Sequence, residues 1–313
     1  MLPVPPPPSL ADTARFTEHV LETALGPRRY RLFVPGGAGG GGDHPAPFVV
    51  VLHGCTQDAA DIARGTRFNE HAERQGFIVA YPEQPVSANP QKCWNWFDPD
   101  HQTRDRGEPA VVAAIAREVM ARHRVDPDRV HLAGISAGGA MAVIVALAYP
   151  DLFASVAVHS GIPYGAASGV QEALTAMRAG GPDPAAGMRT ALSAMASRAR
   201  ALPALVIQGA EDPTVRVENG HRVAAQFVAL AVATGRLPAT PKPEEERFED
   251  GARGVTRVSW RDPAGGVVVE TWIVSGLAHA WSGGSPDGSW TDPAGPNATA
   301  AMVRFFAEHP LQP

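Results

Sequence analysis

The chain has 313 residues, of which 44% are hydrophobic, enough for one large α/β domain with a substantial core or for two small ones, and one is expected. A formal net charge of −5, with Lys and Arg scattered along the chain, gives no basic field for nucleic acid or for an anionic membrane surface. No apolar run approaches the roughly 18 residues that span a bilayer, and the opening MLPVPPPPSLADTARF has neither the basic nor the apolar segment of a secretion signal.

The segment holding Pro5 to Pro8 reads as an extended arm, because proline fixes φ and donates no backbone hydrogen bond. Residues 1–27 are therefore taken as this arm plus a first strand, and 28–313 as the main domain. Phe16 to Glu22 and Arg28 to Val34 pattern as two strands joined through Leu25-Gly26-Pro27, an edge hairpin. The glycine-rich stretch Gly36 to Gly42 lacks a following Lys-Ser/Thr and opens no helix. It reads as a surface loop rather than a phosphate cradle.

Phe48 to Leu52 is a continuous apolar run of the kind found in a parallel strand buried on both faces, and it ends in His53-Gly54-Cys55-Thr56-Gln57. His53 reads as a structural hydrogen-bonding residue. Asp61 to Gln75 is expected to be helical and Phe77 to Tyr81 to be a strand. The irregular stretch Gln84 to Asp105 carries Cys93-Trp94-Asn95-Trp96-Phe97, an aromatic cluster that either plugs a groove as core or lines a cleft. A helix from about Pro109, with Val112, Ile115 and Val119 at helical spacing, ends near Arg122 to Pro127.

Val130 to Ala133 then form a short strand, followed by Gly134-Ile135-Ser136-Ala137-Gly138 and an apolar helix to Ala148 that Tyr149-Pro150 stops. Strand, G-x-S-x-G and helix together are the pattern of a nucleophile elbow, a tight turn that lifts the serine Oγ above the sheet. The flanking glycines sit where a Cβ would collide with the turn or the next strand.

Ser155 to His159 is a further strand. Residues 162–201 read as an insertion, either a lid or a pair of covering helices, with helical patterning at Val170 to Met177 and Met188 to Met195. Leu205 to Ile207 form a strand leading to Glu211-Asp212, followed by a helix over about Val217 to Thr234. Leu237 to Asp250 reads as a surface excursion. Val255 to Trp260 and Val267 to Val274 alternate as a hairpin, His279 follows the second strand, and Asn297 to Glu308 make a closing helix.

Strands alternating with helices predict an α/β fold, a mostly parallel sheet with helices on both faces. Ser136, Asp212 and His279 each follow a strand, in the order Ser, Asp, His of α/β-hydrolases. They form a candidate catalytic triad: an imidazole to take the serine proton and a carboxylate to orient it. Glu211 is the competing acid. His53 and His159 come too early in the chain to replace His279. In this fold the oxyanion-hole amides come from the loop after the Phe48 to Leu52 strand and from the residue after the nucleophile, here Cys55 and Ala137.

The strings LHGCTQD, CWNWF, GISAGGAM, HSG, GAEDPTV and HAWSGG, in that order, resemble those of the polyhydroxybutyrate depolymerase and feruloyl or acetylxylan esterase family. The resemblance implies an α/β-hydrolase fold and a cofactor-free, metal-free serine esterase with Ser136, Asp212 and His279 as its triad. It also implies substrate-contacting aromatics at Trp94, Tyr164 and Trp281. The expected substrates are short hydroxyalkanoate esters or polyester oligomers, with feruloyl and acetylxylan esters as the alternative. The segment after His279 is too short for a linker and separate polymer-binding domain, which disfavours solid polymer. The resemblance further points to a disulfide between Cys55 and Cys93, for which the strand-end placement of both loops leaves room. That pairing carries the expectation of an extracellular or periplasmic location, with the cytoplasm as alternative.

Overall fold

The fold is described from a computed structural model that covers residues 16–36, 44–181 and 183–311. The Pro5 to Pro8 arm, and the glycine-rich loop beyond Gly36, lie outside those residues. Strands β1 (Phe16–Thr23) and β2 (Gly26–Phe33) form the antiparallel hairpin. They are followed by β3 (Ala46–Leu52), α1 (Ala59–Thr66), α2 (Phe68–Gln75), β4 (Ile78–Pro82), α3 (Gly107–Arg122), β5 (Val125–Ile135), α4 (Ala137–Ala148) and β6 (Ser155–His159). After α5 (Val170–Ala179) and α6 (Pro184–Met195) come β7 (Ala204–Gly209), α7 (Val217–Ala233), β8 (Glu244–Asp250), β9 (Arg253–Arg261) and β10 (Val267–Val274). The short pair β11 (Trp281–Ser282) and β12 (Thr291–Asp292) precedes α8 (Ala298–Glu308).

One ten-stranded sheet runs in the order β1-β2-β4-β3-β5-β6-β7-β10-β9-β8. The six central strands from β4 to β10 pair in parallel, and antiparallel strands close both edges. Alternate residues of the central strands serve opposite layers. Phe48, Val50, Leu132, Val156 and Val206 pack toward α3 to α7, while Val49, Val51, Ala133, Ala157 and Ile207 pack toward α1, α2 and α8. This is the α/β-hydrolase architecture. No described helix is long and apolar enough to cross a membrane.

Two expectations change. The single helix expected over Asp61 to Gln75 is two, because Arg67 adopts φ 60 and caps α1 through its N–H to the Ala63 carbonyl. The break has a use: the Thr66 carbonyl, freed from the helical ladder, accepts the Thr299 hydroxyl at 2.5 Å and ties α8 to the α1–α2 corner. The expected surface excursion up to Asp250 ends in a strand, β8, on the sheet edge. Its mostly exposed run of glutamates has no apolar alternation to read, and Glu244 and Glu246 instead pair with Arg261 and Arg257 across the ladder.

Candidate active site

Parallel pairing brings the C-terminal ends of β5, β7 and β10 to one rim, with β6 between β5 and β7. At the end of β5 the chain turns straight into α4 through Ser136, held at φ 58, ψ −124. Its N–H is anchored on the His159 carbonyl at 3.0 Å. Such a backbone is strained for a residue with a Cβ, and it persists only where surroundings over-determine it. Two glycines supply that constraint. A Cβ at Gly134 would lie 2.3 Å from the Gly138 carbonyl oxygen, and one at Gly138 would lie 2.3 Å from that of Leu52.

Ser136 makes no side-chain cap on α4, and its Oγ meets His279 Nε2 at 3.0 Å. On the far side of the ring, Nδ1 lies 2.7 Å from Asp212 Oδ2. A carboxylate only accepts, so Nδ1 carries the proton and Nε2 is free to accept from the serine hydroxyl. Asp212 is 1% exposed, and its Oδ1 accepts the Thr214 and Val215 amides, both at 2.8 Å. Burial pushes its carboxyl up, but the bonds and charge from His279, together with those two amides, outweigh burial and hold it below the ordinary carboxylate value. Glu211, by contrast, is exposed.

A cavity of about 190 Å³ opens beside Ser136 and His279, bordered by Gly54, Cys55, Thr56, Met177 and Trp290 among others. The amides of Gly54, Thr56 and Gln57 are engaged by the Gln57 side chain, the Gln91 carbonyl and the Gly54 carbonyl. Among the described residues this leaves the Cys55 N–H as the unengaged amide of that loop. Ala137, at the first position of α4, has an N–H that the helix itself cannot satisfy. Cys55 is disulfide-bonded to Cys93, which fastens the loop to the CWNWF segment. Among the described residues, no cluster of three or more His, Cys, Asp or Glu is disposed to hold a metal ion.

The three expected aromatics do not line this cavity. Trp94 is 1% exposed, donating Nε1 to the His53 carbonyl, and so belongs to the core. Trp281 is equally buried, stacked on His159 and donating to Thr299 Oγ1. Although two residues from His279, it sits on β11 and faces the α8 layer. Tyr164 borders a different groove, of about 790 Å³ along α5 and α6, and donates its hydroxyl to the Gln102 carbonyl.

The aromatic at the cavity is Trp290, half exposed, with its ring edge-on to His279 at 6.0 Å and its Nε1 3.3 Å from Thr56 Oγ1. Nothing in spacing marks it; a lone Trp in the polar loop GGSPDGSW was the available signal. His53 and His159 are buried structural groups. Burial holds them neutral, lowered to about 4 and about 3, and each accepts a backbone N–H, from Gln84 and Ser282 respectively.

The family profile described as Esterase PHB depolymerase matches residues 28–246. The chain is 33% identical over 236 residues to Poly(3-hydroxyalkanoate) depolymerase C of Paucimonas lemoignei, covering 75% of this chain and 55% of that one. It is 35% identical over 132 residues to Feruloyl esterase B of Thermothelomyces thermophilus, covering 42% of this chain and 44% of that one. It thus spans about half the length of the curated relatives it matches. Among solved structures, an acetyl xylan esterase from Aspergillus awamori superposes with a TM-score of 0.70 at 18% identity, over 93% of this chain and 99% of that one, a likeness of fold.

Proposed function

The chain belongs to the esterase PHB depolymerase family, and from that premise we propose that it is a serine carboxylic ester hydrolase working through Ser136, His279 and Asp212. The observation that carries the reading is the continuous line of hydrogen bonds from the Ser136 hydroxyl through His279 to a buried, ionised Asp212. His279 Nε2 removes the Oγ proton as Oγ attacks the ester carbonyl, and the carbonyl oxygen becomes an oxyanion facing the Cys55 and Ala137 amides. Collapse breaks the ester C–O bond, and the alcohol leaves with the proton from His279. Water then repeats the sequence on the acyl-enzyme and releases the acid.

Short hydroxyalkanoate esters and soluble polyester oligomers are the proposed substrates. The cavity, about 190 Å³, is below the roughly 300 Å³ at which drug-sized pockets begin, which fits a small acyl group. The 162–201 insertion supplies one wall of that cavity through Met177. The Cys55–Cys93 bond supports an oxidising, extracellular or periplasmic compartment. Side-by-side kcat/KM values on 3-hydroxybutyrate oligomers, methyl ferulate and acetylated xylan test the assignment. The hydroxybutyrate oligomers should be preferred; a preference for either plant ester would move the chain to the feruloyl or acetylxylan branch.

A further inference from the structure

One carboxylate that takes no part in the steps above joins the two loops flanking the cavity. Asp61 lies in the first turn of α1, but the N-cap of that helix is already Asp58, which accepts the Asp61 N–H at 2.9 Å. The Asp61 side chain is therefore not needed as a cap. Its Oδ2 accepts Gln57 Nε2 at 3.0 Å and the Ser289 hydroxyl, and its Oδ1 accepts the Ser289 N–H at 3.0 Å. Gln57, 3% exposed, takes the Gly54 N–H on Oε1 at 2.9 Å and also donates Nε2 to the Ser289 carbonyl at 3.1 Å.

These partners fix the Gln57 amide in one orientation. Turning it over would set a donor against the Gly54 N–H and an acceptor against Asp61. Gly54 immediately precedes Cys55, the proposed oxyanion donor at the cavity edge, and Ser289 immediately precedes Trp290, the aromatic edge-on to His279. Trp290 holds φ 55, a left-handed backbone that a tryptophan adopts only when its neighbours enforce it. Burial raises the Asp61 carboxyl, while the Ser289 and Gln57 bonds and the Arg64 charge lower it further, so that it is ionised at neutral pH.

We propose that Asp61, acting through Gln57 and Ser289, is a positioning residue that sets the Cys55 amide and the Trp290 wall relative to Ser136. The proposal rests on the ester-hydrolase reading. Misplacement of the oxyanion donor acts on the transition state and shows in kcat, whereas displacement of the Trp290 wall shows in KM, chiefly for esters longer than a butyrate.

The test compares Gln57→Glu, Asp61→Asn and the double variant with the wild type on p-nitrophenyl butyrate, following kcat and KM across pH together with Tm. Gln57→Glu sets two carboxylates against each other. Its kcat should fall about tenfold or more at pH 8 with KM within about twofold, a part of the 10²–10³ lost when such a donor is removed. The deficit should shrink as pH falls and the introduced carboxylate regains a proton to donate. Asp61→Asn, which loses the charged acceptor for Gln57, should also lower kcat. The double variant, in which the introduced amide donates to the introduced carboxylate, should recover part of the loss.

Wild-type kcat in both single variants would overturn the proposal. So would losses that follow Tm with no pH dependence and no recovery in the double variant. A Ser136→Ala control separates the two ideas, since its continued activity would defeat the hydrolase reading itself, whereas an inactive control beside two unaffected single variants defeats the positioning role alone.

Discussion

His279 would fail in its role if its proton sat on the wrong nitrogen, and Asp212 is the group that prevents this. Asp212→Asn keeps the size of the side chain, but its amide favours the other imidazole tautomer, and kcat should drop on the order of ten-thousandfold, as in a serine protease of unrelated fold. Glu211→Gln should be nearly silent, because Glu211 is exposed; kinetics on the two variants, with the order reversed, would move the acid to Glu211. Position past a strand end marked Glu211 and Asp212 alike, and only the hydrogen bond to His279 separates them; the choice among tryptophans was not legible either. Trp281 and Trp290 both follow His279 in irregular sequence, and only packing sends one ring to the core and the other to the cavity. Trp281→Ala should therefore cost about 3–5 kcal/mol of stability in urea unfolding. Trp290→Ala should leave stability nearly unchanged and raise KM for longer esters more than for an acetyl ester. Equal effects of Trp290→Ala on both esters would remove it from the substrate wall.

At the level of elements, the strands and helices that carry the site were readable because each announces itself by a buried apolar run and a sharp stop. The elbow is the clearest case: β5, Gly134, Ser136, Gly138 and α4 are adjacent in sequence, so local pattern and tertiary placement coincide. The break at Arg67 and the edge strand β8 were not readable. The first turns on one left-handed residue, Arg67, whose break leaves the Thr66 carbonyl to Thr299, more than two hundred residues away, and the second on a ladder of charged pairs. The Cys55–Cys93 bond lies between these cases, pointed to by family resemblance and formed between two loops of the rim. It closes a loop with a sequence separation of 38, and its removal in Cys55→Ser/Cys93→Ser should cost about 2–4 kcal/mol. Activity should fall with it, since Cys55 carries a proposed oxyanion donor. Unchanged denaturation midpoint and kcat in the double variant would show that the bond holds neither loop.

Among the described residues, three imidazoles in or beside the sheet are almost wholly buried and held neutral: His53, held down to about 4 by burial, and His131 and His159, each to about 3 for the same reason. In the unfolded chain these rings take protons near pH 6.5. Because the folded values are depressed, their stabilisation is fully present above about pH 6.5 and is lost as pH falls toward the folded values. Each ring should cost about 2 kcal/mol between pH 7 and pH 5, and these three rings together should take up close to three protons on unfolding at pH 5. Urea unfolding at the two pH values checks this; equal stabilities would mean that the rings are charged in the native state. The overall architecture was legible from the alternation of strands and helices, and the meeting of Ser136, Asp212 and His279 follows from parallel strands ending on one rim. The central claim, acyl transfer through Ser136, is tested most directly by pre-steady-state hydrolysis of p-nitrophenyl butyrate by the wild type and Ser136→Ala. A burst of p-nitrophenol in the wild type, and a loss of kcat approaching a millionfold in the variant, is the predicted result. More than about a hundredth of wild-type activity surviving in Ser136→Ala, against that expected loss, would contradict it.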